Sequence, residues 1–221
     1  MKIALLTSGG KDSILALHRV AKFGEITLVT AIPERADSFM FHTVNLHMVD
    51  AIASCLELPL HKIAVSGVEE KEVKELEKGI SSLEVDAICC GAIASSYQLK
   101  RVEKICKNLG LEFLAPLWGE DQEKILKEVA KNFDAIIVSV SAMGLDETFL
   151  GKRIDEKCVE DLKKVAKRTG INLAGEGGEY ETLVLDAPLY RRRIVVKEVE
   201  KRWEKVRGVA LVKKFEKIEK L

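Results

Sequence analysis

The chain is expected to fold as an α/β protein, a doubly wound and mainly parallel sheet followed by a second, smaller α+β domain. Three observations predict this. Short apolar runs alternate with stretches of helical period through the first half, the rhythm of strands and helices that builds a parallel sheet covered on both faces. From Gly175 onward, glycines, carboxylates and β-rich pieces replace that alternation. With 47% hydrophobic residues in a chain of 221, either part can bury a proper core.

The elements follow in order. Ile3 to Thr7 is a buried strand, and the next helix shows an apolar stripe of Ile14, Leu17 and Ala21. A strand at Ile26 to Ala31 precedes a helix carrying Leu46, Val49, Ala53 and Leu56. Then come the strand Lys62 to Val65 and a charged helix from about Glu69 to Lys78. Ala87 to Cys90 is a further strand, Leu99, Val102, Cys106 and Leu109 stripe another helix, and Glu112 to Leu114 is a short strand before Pro116. After Trp118 the sequence predicts a helix near Asp121 to Lys131, a strand Ala135 to Val140, and a helix from about Asp155 to Arg168 stopped by Gly170. Thr182 to Leu185 and Ile194 to Val199 read as strands. The change of character places the domains at residues 1–118 and 119–221, with no Pro/Gly/Ser linker between them.

Composition narrows the function classes. Lys plus Arg equals Asp plus Glu at 35 each, so no overall field draws the chain to nucleic acid or to an anionic membrane. The five cysteines, Cys55, Cys89, Cys90, Cys106 and Cys158, show no CxxC spacing and read as reduced, buried thiols rather than a disulfide framework or metal site. No run approaches the roughly 18 apolar residues of a membrane span, so the expected location is cytoplasmic. Charged residues are abundant, while thermolabile amides are limited to Gln98, Gln122, Asn45, Asn108, Asn132 and Asn172. That balance points to a thermophile. A homodimer is compatible with these features.

Ser8-Gly9-Gly10-Lys11-Asp12-Ser13 lies between a strand and the first turn of a helix, where backbone N–H groups without intrahelical partners favour an anion. Gly9 and Gly10 permit close approach of a phosphate, Lys11 supplies a mobile positive charge, and Ser8 and Ser13 add hydroxyl donors. The plain alternative is that Ser8 and Asp12 cap an ordinary helix after a Gly-Gly turn. GxxxxGK[ST] needs four residues between its glycines and GxGxxG needs one, and here the glycines are adjacent. The strand–SGGKDS–helix unit instead resembles the signature of the N-type ATP pyrophosphatases, the PP-loop superfamily. The resemblance implies an adenine nucleotide alpha hydrolase-like fold and attack of a substrate oxygen on the α-phosphate of ATP. Pyrophosphate would leave on the loop, Lys11 would offset its charge, and Asp12 would help hold Mg²⁺. Adenine would lie at the strand ends near Ala31-Ile32 and Gly91-Ala92-Ile93.

Three more segments narrow the resemblance: Met40-Phe41-His42-Thr43-Val44-Asn45, Gly91 to Gln98 running on to Arg101-Val102-Glu103, and Gly175-Glu176-Gly177-Gly178-Glu179-Tyr180-Glu181-Thr182. With SGGKDS, and in this order across nearly the whole chain, they are similar to the diphthine–ammonia ligase family in its short archaeal form. That family amidates diphthine, a modified histidine of translation elongation factor 2, with ATP and ammonia. The resemblance implies nucleotide contact by His42. It also implies an acceptor site built from Tyr97, Gly177, Gly178, Tyr180 and Thr182, with Glu176, Glu179 or Glu181 taking a proton from ammonium or the attacking amine. The trimethylammonium of diphthine would favour such carboxylates and aromatic faces, Trp118 included. Residue 2 is Lys, not a nucleophilic Cys, so free ammonia is the expected nitrogen source.

His18 falls on the buried stripe of its helix and reads as packed; His47 and His61 have no supporting pattern, and Arg191-Arg192-Arg193 is left unassigned. Two competing functions remain. One is a tRNA-modifying PP-loop enzyme, against which the balanced charge speaks. The other is a non-catalytic ATP-binding regulator, which needs no acidic acceptor loop and would bind ATP without releasing pyrophosphate.

Overall fold

A computed structural model of the chain describes residues 1–34 and 44–220. Five strands, β1 (Lys2–Leu6), β2 (Glu25–Pro33), β3 (Leu60–Val65), β4 (Ala87–Cys89) and β5 (Glu112–Leu114), form one parallel sheet in the order β3-β2-β1-β4-β5. The helices are α1 (Lys11–Val20), α2 (Val49–Leu56), α3 (Lys71–Ile80) and α4 (Ser96–Leu109). Side chains alternate along each strand, so the two faces collect different partners. Ile3, Leu5, Leu28 and Cys89 pack with Ile14, Leu17, Ile52 and Cys55 of α1 and α2. Ala4, Val29, Ala31 and Ile88 pack with Val73, Leu76, Val102 and Ile105 of α3 and α4. This is the doubly wound arrangement the sequence predicts.

The remaining strands, β6 (Asp134–Val140), β7 (Tyr180–Asp186), β8 (Arg192–Glu204) and β9 (Arg207–Glu219), form an antiparallel sheet in the order β7-β6-β9-β8, accompanied by α5 (Gln122–Asn132) and α6 (Glu156–Thr169). Asp121 and Asp155 cap these helices by accepting from Lys124 N and Cys158 N, and Gly170 ends α6 in the left-handed conformation. The α1–α2 side of the core runs on into this sheet, joining Leu17 and Ile52 to Ile137, Leu183, Tyr190 and Ile194 in one cluster. Arg19 of α1 adds a bidentate pair with Glu128 of α5, at 2.8 and 2.6 Å. Among the described residues no helix is long and apolar enough to cross a membrane.

Two expectations need correction. Of β8 only Ile194 to Val199 is recognisable in the sequence, and of β9 nothing. The hairpin tip, Glu204 to Arg207, carries neither glycine nor asparagine, and Lys205 takes the positive φ of 54° that those residues usually supply. Beyond the sheet the two strands form a ribbon with few buried side chains, held by its ladder and by cross-strand pairs such as Lys197–Glu216, Lys213–Glu200 and Lys214–Glu198. Its apolar alternation is correspondingly weak. The helix read from Leu46 also begins later: residues 46–48 form a 3₁₀ turn entered from Asn45 at φ 59°. Asn45 is buried, donating to Ala210 O and accepting from Val212 N, while His47 Nε2 contacts Val212 O. Strand β9 pairs with β6 only at Gly208 and Val209, and Asn45 serves the β9 backbone beyond that point as a neighbouring strand would.

His18 is packed, against the Phe133 ring at 4.9 Å. Its Nε2 accepts from Leu189 N at 3.2 Å, so Nδ1 carries the proton and donates to Ile14 O at 2.7 Å. Burial lowers its pKa from the ordinary 6.5. Below 6.5 the unfolded chain therefore takes up a proton that the folded chain refuses, and this contribution to stability is lost as pH falls through the folded-state value. Melting temperatures of wild type and His18→Leu, measured from pH 8 to pH 5, are expected to converge as pH falls. A constant gap would mean that His18 does not titrate with unfolding.

Candidate active site

The strand order reverses between β1 and β4, because the chain leaves β3 at one edge and returns on the far side of β1. In open α/β sheets a ligand crevice forms outside the carboxyl ends of strands at such a point. A cleft of about 450 Å³ opens there, lined by Ser8, Gly10, Lys11, Asp12 and Ser13 on one side and by Glu176, Gly177, Gly178, Tyr180, Glu181 and Thr182 on the other. Ala31, Gly91, Ala92 and Tyr97 also line it.

The loop from β1 to α1 is shaped from within. Thr7 N donates to Val29 O at 2.9 Å and Thr30 Oγ1 to Thr7 O at 2.8 Å, fixing the loop to β2. Gly9, at φ 82°, turns the chain back so that its N–H reaches Thr7 Oγ1 at 2.9 Å. Ser13 Oγ donates to Gly10 O at 3.0 Å, so the 2.7 Å contact between Thr7 Oγ1 and Ser13 Oγ has the threonine as donor. Gly10 is the N-cap of α1 and makes no side-chain capping bond. The helix is therefore not closed by Ser8 or Asp12, and its N-terminal end faces the cleft.

Lys11 differs from expectation. The residue is only 2% exposed and its ammonium is held rather than mobile, donating to Asp12 Oδ2 at 2.8 Å and to Ala174 O at 2.5 Å, 5.3 Å from the Tyr180 ring centroid. The lysine thus joins the loop after β1 to the loop before β7. Tyr180 is buried beside it, donating from its hydroxyl to Leu173 O at 2.8 Å, and burial with the nearby Asp12 charge pushes its pKa well up.

The three glutamates of the glycine-rich loop have three different environments. Glu176 accepts from three successive backbone N–H groups at the entrance to α4: Ile93 at 3.0 Å, Ala94 at 3.0 Å and Ser95 at 2.7 Å. Glu179 accepts from Asn172 N and Gly177 N at 2.8 Å each and so closes its own loop. Glu181 lines the cleft. Tyr97 donates to Glu69 at 2.9 Å and carries the Arg101 guanidinium 3.4 Å above its ring, which fixes the rim on the α4 side.

Several other predicted residues lie elsewhere. Gly9 is set back from the cleft against Ile52, Ile93 is buried in the core, and Ile32 and Glu179 are not among the lining residues. His42 falls outside the described residues. Cleft residues given no individual role from sequence include Thr7, Ser95 and Gln98, together with an apolar wall of Leu6, Val29, Cys90 and Val102, while Gly175 lines the cleft as part of the expected acceptor loop. Thr7 was findable as the strand residue directly preceding the loop, whereas the wall is made of ordinary core residue types. Burial pushes the Cys90 thiol up to about 11 and Cys89 higher still, so both are neutral packed thiols. The arginine cluster is partly used in packing: Arg192 donates to Ser54 O and Oγ at 3.1 Å, and Arg191 N to Cys55 O.

Comparison with known proteins adds to this geometry. A family model described as the Diphthamide synthase N-terminal domain matches residues 1–113, and one described as the Diphthamide synthase C-terminal domain matches residues 121–218. The chain is 37% identical over 222 residues to a diphthine–ammonia ligase of Rattus norvegicus, covering 89% of this chain and 83% of that protein. Against the Homo sapiens diphthine–ammonia ligase it is 36% identical over 226 residues, with 90% and 84% covered. A diphthine–ammonia ligase of Schizosaccharomyces pombe is 37% identical over 223 residues, which span 90% of this chain but 37% of that longer protein.

Proposed function

The chain belongs to the diphthine–ammonia ligase family, enzymes that form a C–N bond, and we propose that the cleft between its two loops is where ATP, diphthine of elongation factor 2 and ammonia react. One observation carries this reading: SGGKDS, all but Gly9, and GEGGEYET, all but Glu179, line a single cleft at the sheet's switch point. The diphthine carboxylate oxygen attacks the α-phosphorus, the bond to the β-phosphate oxygen breaks, and pyrophosphate leaves. Ammonia then attacks the acyl carbon, the acyl–oxygen bond breaks, and AMP departs.

The loop Ser8 to Ser13 holds the pyrophosphate portion at the open end of α1, with Lys11 opposing its charge. Adenine takes the wall by Ala31, Gly91 and Ala92, next in sequence to Ile32 and to the buried Ile93. Magnesium commonly uses one or two carboxylates and the substrate's own phosphates, and Asp12, which lines the cleft beside the phosphate loop, would be such a carboxylate. Magnesium, when bound, would further neutralise the leaving pyrophosphate.

Of the three glutamates, Glu181 is our choice to take the proton from ammonium or the attacking amine, because it lines the cleft and directly precedes Thr182, whose hydroxyl meets the phosphate loop. Tyr97, Gly177, Gly178 and Tyr180 complete the acceptor side. Glu181→Gln is expected to slow amide formation about 10²-fold or more while acceptor-dependent pyrophosphate exchange persists. Glu176→Gln instead turns an amide donor toward backbone donors and is expected to lower the melting temperature, with a loss of about 1.5–3 kcal/mol. Full amidation by Glu181→Gln would remove it from the mechanism.

The division at residue 118, into a nucleotide domain and an acceptor domain, is part of this proposal, as are a cytoplasmic location, an archaeal thermophilic source and a possible pairing of two copies. The thermophilic reading draws on surface ion-pair networks such as Lys127–Glu123–Lys163–Glu160. The decisive assay incubates the protein with ATP, magnesium, ammonium and diphthine-bearing elongation factor 2. AMP and pyrophosphate in equal amounts, with the mass change of one amidation, are expected. AMP formation on tRNA alone would overturn the acceptor.

A further inference from the structure

We infer that Thr182 is a positioning residue for the phosphate loop, and that strand β7 completes the nucleotide site from the other half of the chain. The identity of the nucleotide rests on the function proposed above; the placement of Thr182 does not.

Lys11 is held at both ends by residues after position 170. Its backbone N–H donates to Thr182 Oγ1 at 3.0 Å, and its ammonium donates to Ala174 O at 2.5 Å. Two residues along β7, Val184 N donates to Gly9 O at 2.9 Å. Strand β7 is the edge of its sheet, bonded to β6 on one side, and its other edge meets the phosphate loop. The fit is close: a Cβ on Gly10 would lie 3.4 Å from Thr182 O and 3.5 Å from Thr182 Oγ1.

An uncapped helix end needs acceptors for its first N–H groups. Gly10 supplies no side chain to do this, and Thr182 supplies the hydroxyl oxygen from a different element, acting as a cap residue would. That bond sets the plane of the Gly10–Lys11 peptide. The same plane aims Gly10 O at its two donors, Ser13 Oγ at 3.0 Å and Ile14 N at 3.1 Å. Thr182 therefore acts through the loop on the phosphates, and the acceptor-side role expected from sequence passes to its neighbours Tyr180 and Glu181.

The test is calorimetric titration of the full chain with ATP and magnesium, and separately with AMP, with no acceptor present. Thr182→Val keeps the side-chain shape and removes the acceptor oxygen. It is expected to weaken ATP binding about tenfold, as the loss of one hydrogen bond to a part-buried N–H would, and to leave AMP binding within about twofold. Thr182→Ser is expected to restore ATP binding to within about threefold, and Thr182→Ala carries the same prediction as valine should valine not fold. A parallel fall in ATP and AMP affinity would mean a general structural role, and unchanged affinities with a raised KM for the elongation factor would return Thr182 to the acceptor side; either overturns the inference. A wild-type chain that binds neither nucleotide would overturn the nucleotide reading and this one together. Because no acceptor is in the cell, failure of the diphthine assignment alone leaves the expected titrations unchanged.

Discussion

Lys11→Met is expected to slow release of pyrophosphate from ATP by about 10²–10³-fold, the range seen when a preorganised charge or donor is removed from a reacting centre. The magnitude follows from how the ammonium is held. It has three N–H donors, and two of them go to Asp12 and Ala174 O. Among the described residues the third is left for an oxygen in the cleft, and the charge of a residue only 2% exposed loses little of its field to water. Methionine keeps the apolar stem and much of the volume, so packing beside Tyr180 is retained. Asp12 loses its ammonium partner, but its side chain is 27% exposed and water can replace part of that interaction. The folding penalty should therefore be about 1–2 kcal/mol, too small to unfold the chain well below its melting temperature. Activity and stability are then separable in one experiment: pyrophosphate release at saturating ATP, with the thermal midpoint measured alongside. A variant within tenfold of wild type would show that the loop binds through its backbone and that the lysine serves the fold.

How much of this was legible in the sequence depends on whether the signal was local. The parallel sheet was readable because each of its strands is a short apolar run and each helix a stripe, which burial on both faces demands. The β8–β9 ribbon was not, since pairing and ion pairs hold it where burial does not. SGGKDS was readable because the strand, the adjacent glycines and the helix start are contiguous. Its completion by Thr182, 171 residues away from Lys11, leaves no local trace. The glutamates show the same limit most clearly. As sequence, Glu176, Glu179 and Glu181 are equivalent carboxylates in a glycine-rich stretch; only the fold brings the N–H groups of residues 93–95 to the first and those of residues 172 and 177 to the second.

Gly91→Ala is expected to be the most damaging single-methyl change in the site, with loss of ATP-dependent activity of about 10²-fold or more. The reason is contact rather than conformation, because Gly91 has no positive φ. A Cβ built there would lie 2.6 Å from Asp12 C, 2.7 Å from Asp12 O and 2.7 Å from Ser13 N, all backbone atoms of the first turn of α1. No rotamer relieves such a clash, so the loop after β4 must retreat by roughly 1 Å, a misplacement that can cost about 10² in rate. The retreat carries further, since Ile93 to Ser95 hold Glu176 and Ile93 O accepts from Gly119 N at 2.9 Å. Overpacking of this kind costs about 1–3 kcal/mol of stability. Gly110→Ala provides the comparison: its Cβ would meet nothing within 4 Å, but φ is 69°, so it should lose about 1 kcal/mol through backbone strain alone. Both variants should melt earlier than wild type, and only Gly91→Ala should lose ATP turnover at a temperature where both remain folded. Equal activity in the two would mean that the approach of the β4–α4 loop to the phosphate loop is incidental to catalysis; loss confined to Gly91→Ala would show that the close packing of these loops is what sets the geometry of the nucleotide site.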